Sequence, residues 1–153
     1  MEQLMNQLLG KEMKMYSARY EDAKFFYELD TSKRFPEFRG QLNGILFHEK
    51  LGTMEEKMIW VESTVSELGS ALGLSEDKLQ IVREAASLAM SDLSTAVVTE
   101  FTSLWGIMAC HYALREGYSQ QVSDALFEIT LPRFSGDILP ETDAGIVLSI
   151  ADR

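Results

Sequence analysis

The longest apolar-rich block of the chain covers residues 82–114 and contains one short polar interruption, Ser91 to Ser94. Because this interruption offers several N-cap residues in succession, the pattern predicts a helix that ends near Met90 and another over about 94–115. Apolar residues lie on more than one face of the second helix, so we expect it to be the most buried. Gly106 inside it indicates a neighbouring group packed closely against that helix.

Apolar residues spaced three and four apart predict helices along the rest of the chain. Thr53 and Glu56 form a capping box, and Gly52 before them is a plausible helix stop. Gly40 and Gly44, four residues apart, would let another backbone come close. No strand pattern or internal repeat is convincing, which predicts an all-α domain of about six to eight helices over residues 1–153. The predicted helices cover residues 3–30 (in one or two pieces), 34–47, 54–72, 75–90, 94–115 and 119–129, and a last one begins near 141–143 after a proline-bounded loop at 131–140.

Composition places the chain among folded globular proteins. Apolar residues make up 46% and charged residues 25% of its 153 residues, with three prolines. No apolar run approaches the ~20 residues of a membrane span, so we expect no membrane partner. The first residues have neither a signal-peptide nor a transit-peptide layout. The chain stops at Arg153 while the apolar pattern of its last helix continues, so we expect a fragment of a longer protein.

Charge is distributed unevenly along the chain, whose net charge is −10. Residues 1–60 hold nine basic and ten acidic side chains, whereas residues 61–153 hold five and fourteen. The second part therefore repels polyanions and cannot act as a general phosphate-binding surface. Nucleic-acid contacts, if present, are expected in the first 60 residues or at isolated bases such as Arg115 and Arg133. The simpler interpretation, which we favour, is a solvated acidic face.

Cys110 is the only cysteine and cannot form an internal disulfide, which favours a reducing compartment and a buried structural thiol. His111 follows it directly, and adjacent helical residues do not face each other. The two therefore form neither a catalytic dyad nor a metal pair. The sequence also lacks a glycine-rich phosphate loop, a CxxC pair and a serine-centred elbow.

His48, Asp92 and Asp152 lie near the ends of three predicted helices and are legitimate ligands for a divalent metal. Their spacing resembles the HD superfamily of metal phosphohydrolases, in which a histidine precedes the aspartate of a pair at a helix end. Here Ser91 stands where that second histidine would be. We call His48, Ser91, Asp92 and Asp152 the HD-type positions. Without the second imidazole, we expect no metal and no catalytic residue among them, with Asp92 capping the helix restart.

Several longer sequence segments resemble the β subunit of the bacterial-type glycyl-tRNA synthetase. The resemblance extends from about Gly10 to Arg153, and its most specific parts are residues 47–53 and 131–140. The sequence around residues 88–109 resembles plant organellar versions, in which α and β regions are fused. The similar segments are ARYEDAKFFYELD (18–30), LFHEKLGT (46–53), EAASLAMSDLSTAVVTEFTSLWGIMACHYA (84–113) and LPRFSGDILPETDAGIVLSIADR (131–153).

This resemblance implies a degenerate HD domain without hydrolase chemistry. It also implies that the intact enzyme joins glycine to tRNA(Gly) with ATP and Mg²⁺, and that adenylation belongs to the α subunit or fused α region. The present segment would need no cofactor of its own and would contribute to tRNA recognition and assembly. Its location would be the chloroplast or mitochondrion, or the cytoplasm in a bacterium. Lys50 and Arg133 are the candidate tRNA contacts, with a surface ion pair or carbonyl cap as the alternative for each.

Three hypotheses follow. The first is a non-catalytic HD-like module of the β region of glycyl-tRNA synthetase. The second is an HD-type phosphohydrolase with Mn²⁺, Fe or Mg²⁺ at His48, Asp92 and Asp152. The third is a stand-alone helical interaction module. Metal analysis separates the second from the others, and binding to tRNA or an α subunit separates the first from the third.

Overall fold

A computed structural model describes residues 19–153 of the chain. The predicted helix over 3–30 therefore falls partly outside the described residues. The all-α prediction is confirmed, with helices predominating and a single two-stranded hairpin as the only sheet in the described part. The helices are α1 (19–31), α2 (Met54–Ala71), α3 (Glu76–Leu88), α4 (Ala96–Glu100), α5 (Ile107–Arg115), α6 (Gln120–Glu128) and α7 (Asp143–Ala151).

The hydrophobic core lies where α3 packs against α2, α6 and α7, and α5 packs against α6. Its side chains come from the predicted apolar stripes, because helical spacing of three and four places them on one face. Each such burial stabilises the fold by about 1.5–3 kcal/mol. The large side chains that are almost fully buried include Leu42, Met58, Val82, Leu126 and Leu148.

Four predicted helices agree with the structure to within two residues. α2 begins after the capping box, in which Thr53 Oγ1 accepts from Glu56 N at 3.3 Å and Glu56 Oε2 accepts from Thr53 N at 2.7 Å. Ser119 caps α6 through the backbone N–H of Val122 at 3.2 Å. Strong local signals at helix starts explain the agreement for α2, α3, α6 and α7.

The helix predicted over 34–47 is confirmed only for residues 35–44, and there it is a 3-10 helix. Residues Phe35–Gly44 form a 3-10 helix that buries Phe35, Phe38 and Leu42. The two glycines weaken the α conformation, and the three-residue spacing of the phenylalanines suits the tighter helix. An added Cβ at Gly40 or Gly44 would meet nothing within 4 Å, so the expected close backbone approach is absent there.

A short hairpin follows this 3-10 helix and was not predicted. β1 (Leu46–His48) pairs antiparallel with β2 (Gly52–Thr53), so Gly52 belongs to a strand and does not end a helix. Two strands this short have no alternation that a sequence pattern could reveal. The hairpin carries His48 and Lys50 to the surface.

The predicted continuous helix over 94–115 is also wrong. It divides into α4, a 3-10 turn at Thr102–Leu104 and α5. Gly106 starts α5 with φ +79°, and an added Cβ would lie 2.6 Å from Thr130 Cγ2. The expected close packing at Gly106 is therefore confirmed, although the glycine marks a helix start. Ile107 and Leu114 are more than two-fifths exposed, so α5 is not buried on all faces.

Candidate functional site

The Ser91–Asp92 corner joins α3 to α4 through a 3-10 turn, Ser91–Ser94, as the polar interruption predicted. Asp92 is fully buried, and its Oδ2 accepts the backbone N–H groups of Gly106 at 2.7 Å and Ala109 at 3.2 Å. Burial raises the pKa of Asp92 to about 6, although these backbone hydrogen bonds oppose the rise. The carboxylate thus caps the start of α5.

We expected Asp92 to cap the helix restart, and its carboxylate caps α5 and not α4, the helix that follows it directly. The start of α4 is held by Asp30 of α1, whose carboxylate accepts from Ala96 N at 2.7 Å and Val97 N at 3.0 Å. Thr95 Oγ1 adds a long contact to Val98 N at 3.4 Å. Ser91 Oγ and Asp92 Oδ1 are buried without a hydrogen-bond partner among the described residues.

The sequence analysis did not identify Asp30 as a functional residue. In the structure Asp30 lies inside α1, is 3% exposed and also accepts the hydroxyl of Tyr112 at 2.8 Å. Burial and this bond to Asp30 raise the pKa of Tyr112 well above its usual value. The missed signal was an acid three residues after Tyr27 on the same apolar helix face.

Glu128 of α6 repeats the same arrangement at α7. Its carboxylate accepts the backbone N–H groups of Glu141 at 3.0 Å and Thr142 at 3.1 Å, and also the Thr142 hydroxyl. Three buried acids, Asp30, Asp92 and Glu128, therefore hold the segments at which α4, α5 and α7 begin. A carboxylate suits this position because backbone N–H groups and the helix dipole favour negative charge there.

His48 lies on the exposed hairpin, where its Nδ1 accepts the backbone N–H of Lys50 at 3.1 Å. Asp152 follows α7 and forms an ion pair with Lys57 of α2 at 2.6 Å. Both side chains of this pair are about 15% exposed. Lys57 also lies over the ring of Phe47, 4.7 Å from its centroid.

These contacts do not fit a metal at the HD-type positions. Asp92 directs one oxygen at two N–H groups inside the core, Asp152 is neutralised by Lys57, and His48 bonds within its own hairpin. Among residues 19–153 no three His, Cys, Asp or Glu side chains are arranged to hold a metal ion. The structure therefore places the HD-type positions in separate local interactions.

Lys50 and Arg133 differ in their surroundings. Lys50 lies in the exposed hairpin turn and has no ion pair within the described part of the chain. Arg133 pairs with Asp137 at 3.5 Å and lies over the ring of Phe127 at 5.4 Å. The alternative interpretation of Arg133 as a surface ion pair thus has a geometric basis, whereas Lys50 has no such pair among residues 19–153.

A chain of contacts nevertheless links the two segments that carry these bases. Phe47 in the hairpin lies against Lys57, which pairs with Asp152. The next residue, Arg153, donates to the carbonyl oxygen of Leu131 at 2.7 Å, two residues before Arg133. The hairpin and the loop over 131–140 therefore flank the end of α7.

Cys110 and His111 do not contact each other through their side chains. His111 Nε2 and the Tyr27 hydroxyl are 3.0 Å apart, and burial raises the pKa of the half-buried Cys110 thiol.

The described part of the chain contains no helix long and apolar enough to cross a membrane. Its fold and contacts define an all-α module in which buried acids secure helix starts.

Comparison with known proteins shows which family this module comes from. The model of the glycyl-tRNA synthetase beta subunit family matches residues 5–153. The chain is 71% identical over 136 residues to glycine–tRNA ligase, chloroplastic/mitochondrial 2 of Arabidopsis thaliana, covering 89% of this chain and 13% of that protein. It is 43% identical to the glycine–tRNA ligase beta subunits of Halothermothrix orenii and Clostridioides difficile, covering 94% and 92% of this chain and 21% and 20% of those proteins.

The chain therefore belongs to the glycyl-tRNA synthetase beta subunit family. It spans no more than about a fifth of the length of these relatives. The predicted resemblance is confirmed at the level of the family.

Proposed function

We propose that this chain is a non-catalytic, HD-like module of the β region of glycyl-tRNA synthetase that contributes to tRNA(Gly) recognition and assembly. The observation that carries the proposal is the family match over residues 5–153. The contacts of the HD-type positions support the non-catalytic part, because their side chains bond to backbone, lysine or their own hairpin. The α subunit or fused α region, with ATP and Mg²⁺, supplies adenylation in this proposal.

Lys50 is the stronger of the two proposed phosphate contacts. Lys50 is exposed on a turn that the hairpin holds in place, and a lysine that forms no ion pair among residues 19–153 can neutralise a phosphate directly. Arg133 must open its pair with Asp137 before it can do so. We therefore expect Lys50 to contribute more than Arg133 to the affinity for tRNA.

The test uses a chimeric enzyme, in which this chain replaces the matched stretch of the Arabidopsis ligase. Charge reversal at both bases, Lys50→Glu with Arg133→Glu, is expected to weaken tRNA(Gly) binding about tenfold or more at low salt, measured by filter binding. The salt dependence should also become shallower, because fewer counterions are released. Lys78→Glu with Arg83→Glu is the matched control, since it changes the net charge equally at two bases already paired with Asp143 and Glu76.

Unchanged affinity in the double variant would contradict tRNA contact by this face. Equal losses in the variant with Lys78→Glu and Arg83→Glu would show a non-specific effect of net charge and would also contradict it. The single variants rank the two bases, and a larger loss for Arg133→Glu would reverse our order.

The phosphohydrolase hypothesis finds no support in the geometry of Asp92 and Asp152. Metal analysis of the purified protein is expected to find no stoichiometric Mn²⁺, Fe or Mg²⁺. The hypothesis of a stand-alone module predicts that the 153-residue chain binds neither tRNA(Gly) nor an α subunit. The relative named from plant chloroplasts and mitochondria favours an organellar location for this chain, with the bacterial cytoplasm as the alternative.

A further inference from the structure

α1 contributes little to the hydrophobic core of the described structure. Asp30 is the only buried residue among residues 19–31, and Phe26 and Tyr27 are half-buried. On the other side of the helix Phe25 and Leu29 are 61% and 49% exposed. A helix whose one buried side chain is polar gains little from the hydrophobic effect, so its attachment depends on a few specific contacts.

Asp30 makes the polar part of this attachment. Its carboxylate accepts the N–H groups of Ala96 and Val97 at the start of α4, and also the hydroxyl of Tyr112. α4 has only five residues, and a helix this short is not stable alone. Without α1, the first N–H groups of α4 would lose their acceptor.

Two aromatic side chains make the apolar part of the attachment. The ring of Phe26 meets that of Phe101, which directly follows α4, edge to face at a centroid distance of 6.4 Å. The ring of Tyr27 stacks on that of Tyr112 in α5 at 6.1 Å. α1 therefore contacts α4 at its start through Asp30 and at its end through Phe26.

The packing between α1 and its neighbours is incomplete. A pocket of about 320 Å³ lies between α1 and the segment over residues 97–108. Side chains that line a void lose dispersion contacts on that side, so this interface is weaker than the packed core. The apolar side chains around the pocket are those of Tyr20, Ala23, Tyr27, Val97 and Met108.

α5 has a separate attachment that does not involve α1. Asp92 binds the N–H groups of Gly106 and Ala109 at its start, and the helix packs against α6. α4, in contrast, packs against the 3-10 turns before and after it. The attachment of α4 to the rest of the fold thus depends on α1 more than that of α5 does.

We propose that α1 and residues 95–104 form one cooperative opening unit, which separates from the fold as a whole while α2, α3, α5, α6 and α7 stay folded. Residues 95–104 comprise α4 and the 3-10 turn after it. Parts of a protein that bury few apolar side chains open locally in such units. Because Asp30 and Phe26 bridge the two parts, any displacement of α1 also releases α4. The unit is thus a conformational device that couples the position of α1 to the order of α4.

The experiment measures amide hydrogen exchange by NMR in the 153-residue chain, residue by residue. The N–H of Ser32, which bonds Glu28 O at 3.1 Å, reports on α1, and the N–H of Thr99, which bonds Thr95 O at 3.0 Å, reports on α4. We expect similar protection at these two amides. It should be at least about tenfold lower than the protection at Val82, an almost fully buried residue of α3.

The first variant weakens the attachment of α1 without touching α4 or its cap. Phe26→Ala removes the contact with Phe101, so we expect the protection at Ser32 and at Thr99 to fall by the same factor, about tenfold. Phe25→Ala is the matched control, because it removes the same atoms from an exposed position of the same helix. Its protection should stay within about twofold of the original.

The second variant destabilises the core but not the opening unit. Val147 of α7 is fully buried, and Val147→Ala should lower the protection at Val82 about tenfold. This substitution affects the closed and the opened states equally when the core stays folded in both. We therefore expect the protection at Thr99 to stay within about twofold.

Two results would overturn the proposal. A fall in Phe26→Ala at Ser32 without a fall at Thr99 would show that α1 and α4 open independently. An equal fall at Thr99 and Val82 in Val147→Ala would show that α4 opens only when the whole module unfolds. Should Phe26→Ala fail to fold, Phe26→Leu is expected to give the same pattern with a smaller factor, and no fall at Thr99 there would also contradict the proposal. No tRNA is present in this experiment, so its result is independent of the proposed function.

Discussion

Two carboxylates of this molecule accept hydrogen bonds from backbone N–H groups in the same way, yet their pKa values are shifted in opposite directions. Asp92 binds the start of α5 from inside the core, and its pKa is raised to about 6. Asp137 binds Arg133 and Ile138 in a surface loop, and its pKa is lowered. Desolvation dominates at the first and hydrogen bonding at the second. The difference shows that the Asp92 carboxylate acts inside the core at the start of α5, whereas the Asp137 carboxylate orders a surface loop.

Removing the buried carboxylate is expected to have the largest effect. Asp92→Ala leaves the backbone N–H groups of Gly106 and Ala109 without an acceptor, and each unsatisfied buried donor costs about 1–3 kcal/mol. We expect the free energy of unfolding to fall by about 4 kcal/mol, measured by urea denaturation at pH 6. Ser91→Ala is the matched control and should change little, since Ser91 Oγ has no partner among the described residues. Equal stability of Asp92→Ala and the original chain would contradict a structural role for the Asp92 carboxylate at the start of α5.

The titration of Asp92 should have the next largest effect. Its pKa rises from an ordinary 3.8 to about 6 on folding, so the folded state binds the proton more tightly than the unfolded state. The stabilising contribution is fully present below about pH 4 and is lost as the pH rises through 6. A shift of about two pH units corresponds to about 3 kcal/mol.

Other acids also titrate over this range, so the measurement is the difference in unfolding free energy between the original chain and Asp92→Asn. We expect the unfolding free energy of the original chain to increase relative to that of the variant as the pH falls from 7 to 4. A difference that stays constant with pH, or one that changes in the other direction, would contradict the raised pKa.

Substitution at Gly106 tests how much the close packing of the start of α5 against Thr130 contributes to stability. Gly106→Ala forces an alanine into φ +79° and places its Cβ 2.6 Å from Thr130 Cγ2, so we expect a loss of about 2–3 kcal/mol. Gly117→Ala has a similar φ of +89° with nothing within 4 Å and should cost about 1 kcal/mol. Equal losses in the two variants, measured by urea denaturation, would show that packing against Thr130 contributes nothing to the cost at Gly106.

The ion pair at Asp152 should have a smaller effect. Lys57→Met leaves a mostly buried carboxylate without its partner, and we expect a loss of about 1–2 kcal/mol. Adding Asp152→Asn should restore part of that stability, because the unpaired charge is then removed. Thermal unfolding of the four proteins in this cycle measures the coupling. Additive losses would mean that the pair contributes nothing to stability.

Local signals explain which parts of the fold the sequence predicted. The capping box at Thr53 and the cap at Ser119 each lie within one turn of the helix they start, so both helices were found. The Ser91–Asp92 break was found for the same reason. The division at Gly106 was missed because its cap, Asp92, lies fourteen residues earlier and acts through space.

The same reasoning applies to the candidate site. Residue type and spacing identified Asp92 and Asp152 as polar positions of interest, but their partners come from α5 and α2. Asp30 was missed because its contact with α4 spans 66 residues. Exposure of Phe134, Ile138 and Leu139 likewise depends on tertiary packing, since apolar type alone predicts burial.

Our central claim is that the Ser91–Asp92 corner contributes to stability and takes no part in catalysis. The most direct test is glycylation of tRNA(Gly) by the chimeric enzyme carrying Asp92→Asn, with its unfolding measured in parallel. We predict lower stability with kcat and KM within about twofold of the original enzyme at a temperature where both are folded. A large loss of kcat without loss of stability would contradict the claim.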